Sequence, residues 1–286
     1  MRFERVRRLA AVRHPGPVLA LWAARCLGAW VVAGPVAAVL TAGLEHQPRT
    51  DAVLFDPGGA YLLETIRLHR DALAINAQHA VWAALTVGAL CLLPLTALVV
   101  ALARRGGRPD ESWLHRTAHH VPGFALLAGL TVLAQVAVGS LVAVVALGAR
   151  QSLALHLGQR CGDSSLLGLG GLAVTLIVFI GVVQDLARAA SVRHDCGVVD
   201  SIRTATGVAL AHPGQIGIAW LTPAIWSTVL VLAAMMVTRS CRLDAPGDWR
   251  WAVLIGVHQL AALGMAALRA TWLARAVAFV ASESWT

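Results

Sequence analysis

Arg25, Asp185 and Arg269 have the most chemistry to offer, because each interrupts or closes an apolar run long enough to be a helix. An ionisable side chain in an apolar medium is costly and is kept for binding, for ion or proton movement, or for pairing. Arg25 follows Pro15-Gly16, Asp185 stands one helical turn before Arg188, and Arg269 stands shortly before Arg275. At 1.5 Å per residue all three fall within roughly 5 to 14 Å of one membrane boundary. In one reading Asp185 holds Arg269 or Arg25, and the remaining guanidinium, with Arg188, binds an anionic headgroup or phosphate, which its planar fork suits. In the plainer reading Asp185 makes a structural ion pair between helices, and Arg25 extends its stem to the interface.

Other reactive residue types offer less. Cys26, Cys91, Cys161, Cys196 and Cys241 show no CxxC or Cys/His spacing, so no metal site is expected. Cys26 and Cys91 read as small apolar residues inside helices. Cys161 and Cys241 fall in segments assigned to the same outer face, where they can form a disulfide in an oxidising compartment or remain two unrelated thiols. His258-Gln259 and the group Asn76, Gln78 and His79 read as hydrogen-bonding residues between helices, in preference to haem ligands. Ser140 has no identifiable base and reads as a packing residue. The chain holds no HExxH, no GxSxG elbow, no P-loop and no paired-glutamate protease motif, so neither catalysis nor a cofactor is expected.

The elements that would position these residues follow from composition. Of 286 residues 58% are hydrophobic and 13% charged, about half the charged share of an ordinary soluble domain. All 23 basic residues are Arg, against 15 acids. They lie in short segments between apolar runs, a distribution that fits anionic lipid headgroups and argues against nucleic acid. Six stretches are long enough to cross a bilayer core about 30 Å thick, within 17–43, 76–103, 121–148, 164–187, 215–238 and 251–275. Arg2, Arg5, Arg7 and Arg8 ahead of the first stretch imitate a secretory signal. The apolar run from Pro17 to about Ala42 exceeds the roughly 7 to 15 residues of a signal core, so it reads as a retained membrane helix.

Six spans place both termini on one side. The segments on that side (1–16, 104–120, 188–214 and 275–286) hold 13 Arg, and the opposite segments (45–75, 149–163 and 239–250) hold 8. The positive-inside rule puts both termini in the cytoplasm of a bacterial inner membrane.

The spans also carry an internal pattern. His14-Pro15-Gly16, His120-Val121-Pro122-Gly123 and His212-Pro213-Gly214 each precede an apolar run. Short amphipathic segments come before them: Phe3, Val6 and Leu9; Trp113 and Leu114 beside His115 and Arg116; and Val198, Val199, Ile202, Ala205 and Ala209 at helical spacing. Leu102-Ala103-Arg104, Leu186-Ala187-Arg188 and Leu273-Ala274-Arg275 close the hairpins. The pattern predicts an all-α membrane domain over 1–286, built as three repeats (1–107, 108–193 and 194–286). Each repeat is an interfacial helix, a Pro-Gly break and a transmembrane hairpin anchored by Arg in anionic headgroups. The first repeat has an insertion, Glu45 to His79, in which Tyr61, Leu62, Ile66 and Leu73 line a further interfacial helix. Pro35, Pro94 and Pro223 fall inside spans, and Gly168, Gly170 and Gly171 suit close helix packing.

This arrangement resembles the six-helix bacterial membrane proteins related to the membrane domain attached to some glycerophosphodiester phosphodiesterases. The resemblance rests on Asp185-Leu186-Ala187-Arg188, the amphipathic stretch Val199 to Leu210, His212-Pro213-Gly214 and Arg269-Ala270-Thr271-Trp272-Leu273. It implies a membrane-organising or transport-related role; no phosphodiesterase catalytic domain is present. The expected function is that of a non-enzymatic inner-membrane protein that organises a complex or binds lipid, its partners being the bilayer, anionic phospholipid headgroups and other membrane proteins. The alternative is a permease for a small or amphipathic solute.

Overall fold

Apolar runs lacking acid and Arg become helices because a backbone N–H or C=O away from water must find its partner within the segment. The computed structural model describes residues 14–44, 60–103, 112–240 and 249–282. Eight helices account for nearly all of them: α1 (Pro15–Leu44), α2 (Ala60–Leu68), α3 (Arg70–Ala103), α4 (Trp113–Leu157), α5 (Gln159–His194), α6 (Val198–Ala211), α7 (Pro213–Ser240) and α8 (Arg250–Ser282). Six of these, all but α2 and α6, are long and apolar enough to cross a membrane. The all-α class and the six apolar helices therefore agree with the sequence, and α2 occupies part of the expected insertion.

The helices are longer than the apolar runs suggested. At 45 residues, α4 extends about 67 Å at 1.5 Å per residue. Pro122 lies inside it, so the Pro-Gly break expected there is absent: the segment with Trp113 and Leu114 and the apolar run after it are one helix. One proline removes one helical hydrogen bond and crowds the preceding turn, which a long helix can absorb. At Pro213 the outcome is the opposite. His212, the residue before proline, is driven out of helical geometry to φ −131°, ψ 50°, and its N–H closes α6 on Val208. The expected break is therefore real there. The corresponding segment before Pro15 lies outside the described residues.

The segment 149–163, expected as an outer loop, is almost entirely helical. Only Gly158 separates α4 from α5, and its φ of +92° is one that residues with a side chain rarely adopt. The two helices form an antiparallel hairpin. Gln184 Nε2 donates to the Leu127 carbonyl at 3.4 Å, Gln135 Nε2 to the Ile177 carbonyl at 3.2 Å, and Arg150 Nε to Asp163 Oδ1 at 3.1 Å. Gly162 brings α5 against the Arg150 carbonyl, where a Cβ would stand at 2.8 Å. Gly168, Gly170 and Gly171, expected to serve close packing, have nothing within 4 Å of a built Cβ. They face outward because the face of α5 that meets α4 is carried by other residues, such as Gly181 beside Gln135.

The chain divides into two units, one of Met1–Leu98 with Thr222–Thr271 and the other of Val99–Leu221 with Trp272–Thr286. In the first, Gly28 of α1 lies against Val87 of α3, and Gly264 of α8 against Leu230 of α7. In the second, the end of α5 is enclosed: Asp185 through Val192 are buried without interruption. Phe124, Leu127, Val208, Trp272, Leu273 and Val280 belong to the same unit and are also buried. The middle of the α4–α5 hairpin is the reverse, with Leu133, Val136, Leu141, Val144, Leu167 and Val174 exposed. An apolar, outward-facing midsection is what a lipid-facing hairpin requires.

α6 packs through Ser201, Ala205, Val208 and Ala209. This stripe is rotated from the expected one, because Val199 is 78% exposed and Ile202 only half-buried. Ser201 can be buried because its hydroxyl donates to the Val198 carbonyl.

Candidate functional site

Asp185 is 1% exposed, on the last stretch of α5. Its Oδ2 accepts a hydrogen bond from the Trp272 indole Nε1 at 2.7 Å, and its Oδ1 accepts one from Arg188 NH1 at 3.4 Å. The first contact joins α5 to α8 across 87 positions of sequence; the second is made one turn along the same helix. Arg188 is 5% exposed, and its guanidinium carbon stands 5.7 Å from the centre of the Phe124 ring in α4, within the range of a cation–π contact. A carboxylate taking donors on both oxygens and a guanidinium over an aromatic face together form a buried charge pair. Its direct effect is to fix α5 against α4 and α8.

Within this unit the structure brings Asp185 and Arg188 together. Arg25, on α1, is exposed, and Arg269, on α8, is half-buried; both belong to the other unit. Arg188 was expected to anchor in headgroups at a hairpin exit. It is buried instead, against Phe124 and beside the Asp185 carboxylate. Arg275, the equivalent residue of the last hairpin, donates through NH1 to the Ala219 carbonyl at 2.7 Å. Arg104 lies outside the described residues.

Sequence reasoning missed Trp272 and a second polar cluster. Asp195 caps α5 in the left-handed region at φ 51°, ψ 42°, a geometry that Asp tolerates better than most residues. There its carboxylate meets His119 Nε2 at 3.7 Å and His120 Nε2 at 3.8 Å, the two rings standing edge to face. In the sequence His120 stands out only as part of a Pro-Gly signal, and Asp195 carries no signal of its own. The neighbouring Cys196 thiol is pushed up from its ordinary value, first by burial and then by the Asp200 carboxylate.

In the other unit, His258 Nε2 and the Thr238 hydroxyl lie 3.0 Å apart, and Cys26 Sγ donates to Gln259 Oε1 at 3.1 Å. These contacts are the interhelical hydrogen bonds expected of His258-Gln259, and they join α8 to α7 and to α1. Asn76 bonds instead within its own helix, to the Ala72 carbonyl. Cys161 is exposed, and Cys241 lies outside the described residues, as does any bond between them. Among the described residues no group of three His, Cys, Asp or Glu is placed to hold a metal ion. No protein-family model matches the chain, and neither a curated protein nor a solved structure matches it.

Proposed function

We propose that this chain is a multi-pass protein of a bacterial inner membrane, with both termini cytoplasmic, that works without catalysis as a membrane-organising or lipid-binding subunit. The observation that carries the reading is the contrast within α5. Its Asp185–Val192 stretch is buried in a unit whose core includes Leu, Ala, Phe and Trp side chains, while its apolar midsection is bare. A filled head on a lipid-facing hairpin suits a fixed scaffold better than a conduit. Anionic phospholipid is the natural small partner, given the Arg excess of the segments assigned to the cytoplasm. The resemblance of its sequence pattern to membrane domains of glycerophosphodiester phosphodiesterases supports the same class of role, and the end of α6 at His212, just ahead of Pro213, is consistent with the interfacial helix and Pro-Gly break read in the third segment. Purification in native lipid discs followed by mass spectrometry tests the reading. Co-purifying anionic lipid or a stoichiometric membrane partner is the expected result, and recovery of neither overturns it.

One observation favours a permease as the second reading. His258 and Gln259 are exposed within an apolar helix, engage Thr238 and Cys26, and belong to a unit whose helices contain Pro35, Pro94 and Pro223. Polar side chains and broken helical hydrogen bonding at membrane depth are what a solute path is built from. Solute flux into proteoliposomes that disappears with His258→Ala would move the weight to this reading.

A further inference from the structure

In a helix each carbonyl is served by the N–H four residues on. Ala219 in α7 lacks that donor, because the residue four on is Pro223, which has no N–H. Ala219 is itself buried, and a bare carbonyl in an apolar segment is among the costlier omissions a helix can make. The missing donor is supplied by another helix, through Arg275 NH1 at 2.7 Å.

We propose that Arg275 is the latch of a proline hinge in α7. Pro223 makes α7 able to bend at this point, and Arg275, from the tail of α8, holds its first part closed. The distinction from an ordinary helical bond is mechanical. A backbone N–H releases its carbonyl only by unwinding the helix, whereas a guanidinium on a jointed stem releases it by a change of rotamer and can return.

Four proteins in lipid discs test the latch: native, Arg275→Gln, Pro223→Ala and the double variant. In the native background Arg275→Gln is expected to speed amide exchange over Ala219–Ser227 about tenfold and to lower the unfolding midpoint by about 3 to 6 °C. Pro223→Ala returns an N–H to the Ala219 carbonyl, so in that background Arg275→Gln should change exchange by less than about twofold. Equal effects in the two backgrounds would overturn the proposal, since an Arg that only anchors α8 is indifferent to residue 223. If Arg275→Gln does not accumulate alone, its rescue by Pro223→Ala counts for the latch, and failure of rescue counts against it.

Discussion

At the scale of single residues the protein is organised around charges that are buried. Asp185 could be picked out in the sequence because an acid closing an apolar run is costly unless it has a partner. One of its partners, Trp272, could not. Trp272 sits in an apolar helix, where an aromatic residue reads as core, and only the folded chain brings its indole to within 2.7 Å of the carboxylate. Arg188, in contrast, was visible as a residue one turn away, though its burial was not. Trp272→Phe keeps an aromatic ring and removes the donor, so it should cost about 1 to 3 kcal/mol, measurable as a lowered thermal midpoint in lipid discs. Asp185→Leu alone takes the carboxylate from a buried guanidinium and should cost about 3 to 5 kcal/mol. Asp185→Leu with Arg188→Met should recover only part of that loss, because the Trp272 indole N–H still lacks its acceptor, as the same midpoint measurement would reveal. A double variant as damaged as the single one would mean that the pair does more than hold helices together.

The scale of elements is where the sequence was most informative and also misled most. Six runs of the right length became six helices, because span length and apolarity depend on composition alone. Where those helices end depends on local geometry that a motif does not capture. Pro122 and Pro213 carry the same Pro-Gly signal, yet only the second stops a helix, since only there does the preceding residue leave helical geometry. Glycines divide in the same way. Gly162 touches the facing backbone and Gly168 and Gly171 touch nothing, a difference set by which side of α5 meets α4. Gly162→Val should therefore lower stability by about 1 to 3 kcal/mol by prising the hairpin apart. Gly168→Ala and Gly171→Ala should be neutral or raise it by up to about 1 kcal/mol each through better helix propensity. Thermal unfolding of the three variants, read side by side, checks the contrast.

For the whole molecule, the proposed orientation sends Cys161 and Cys196 to opposite sides. A membrane-impermeant maleimide applied to intact cells should modify Cys161 and leave Cys196 untouched until the membrane is opened, with each site quantified by mass spectrometry. Modification of Cys196 in intact cells would invert the topology. Even in opened membranes Cys196 should react slowly near neutral pH. The thiolate is the nucleophile, and burial together with the Asp200 carboxylate pushes its formation to higher pH. Asp200→Asn removes one of those two causes, so labelling should speed up and its rise should move to lower pH.

The single residue between α4 and α5 has a consequence for how this protein can change over time. With only Gly158 outside the helices, the two arms meet as teeth on a pair of matched racks: Leu127 beside Gln184, Gln135 beside Ile177, Arg150 beside Asp163. One residue gained or lost in either arm turns everything beyond it by about 100°, swinging Gln135 or Gln184 into lipid and bringing leucines into the seam. No loop is available to absorb the slip. The hairpin can therefore exchange most of its side chains one at a time, while its length is inherited as a fixed quantity.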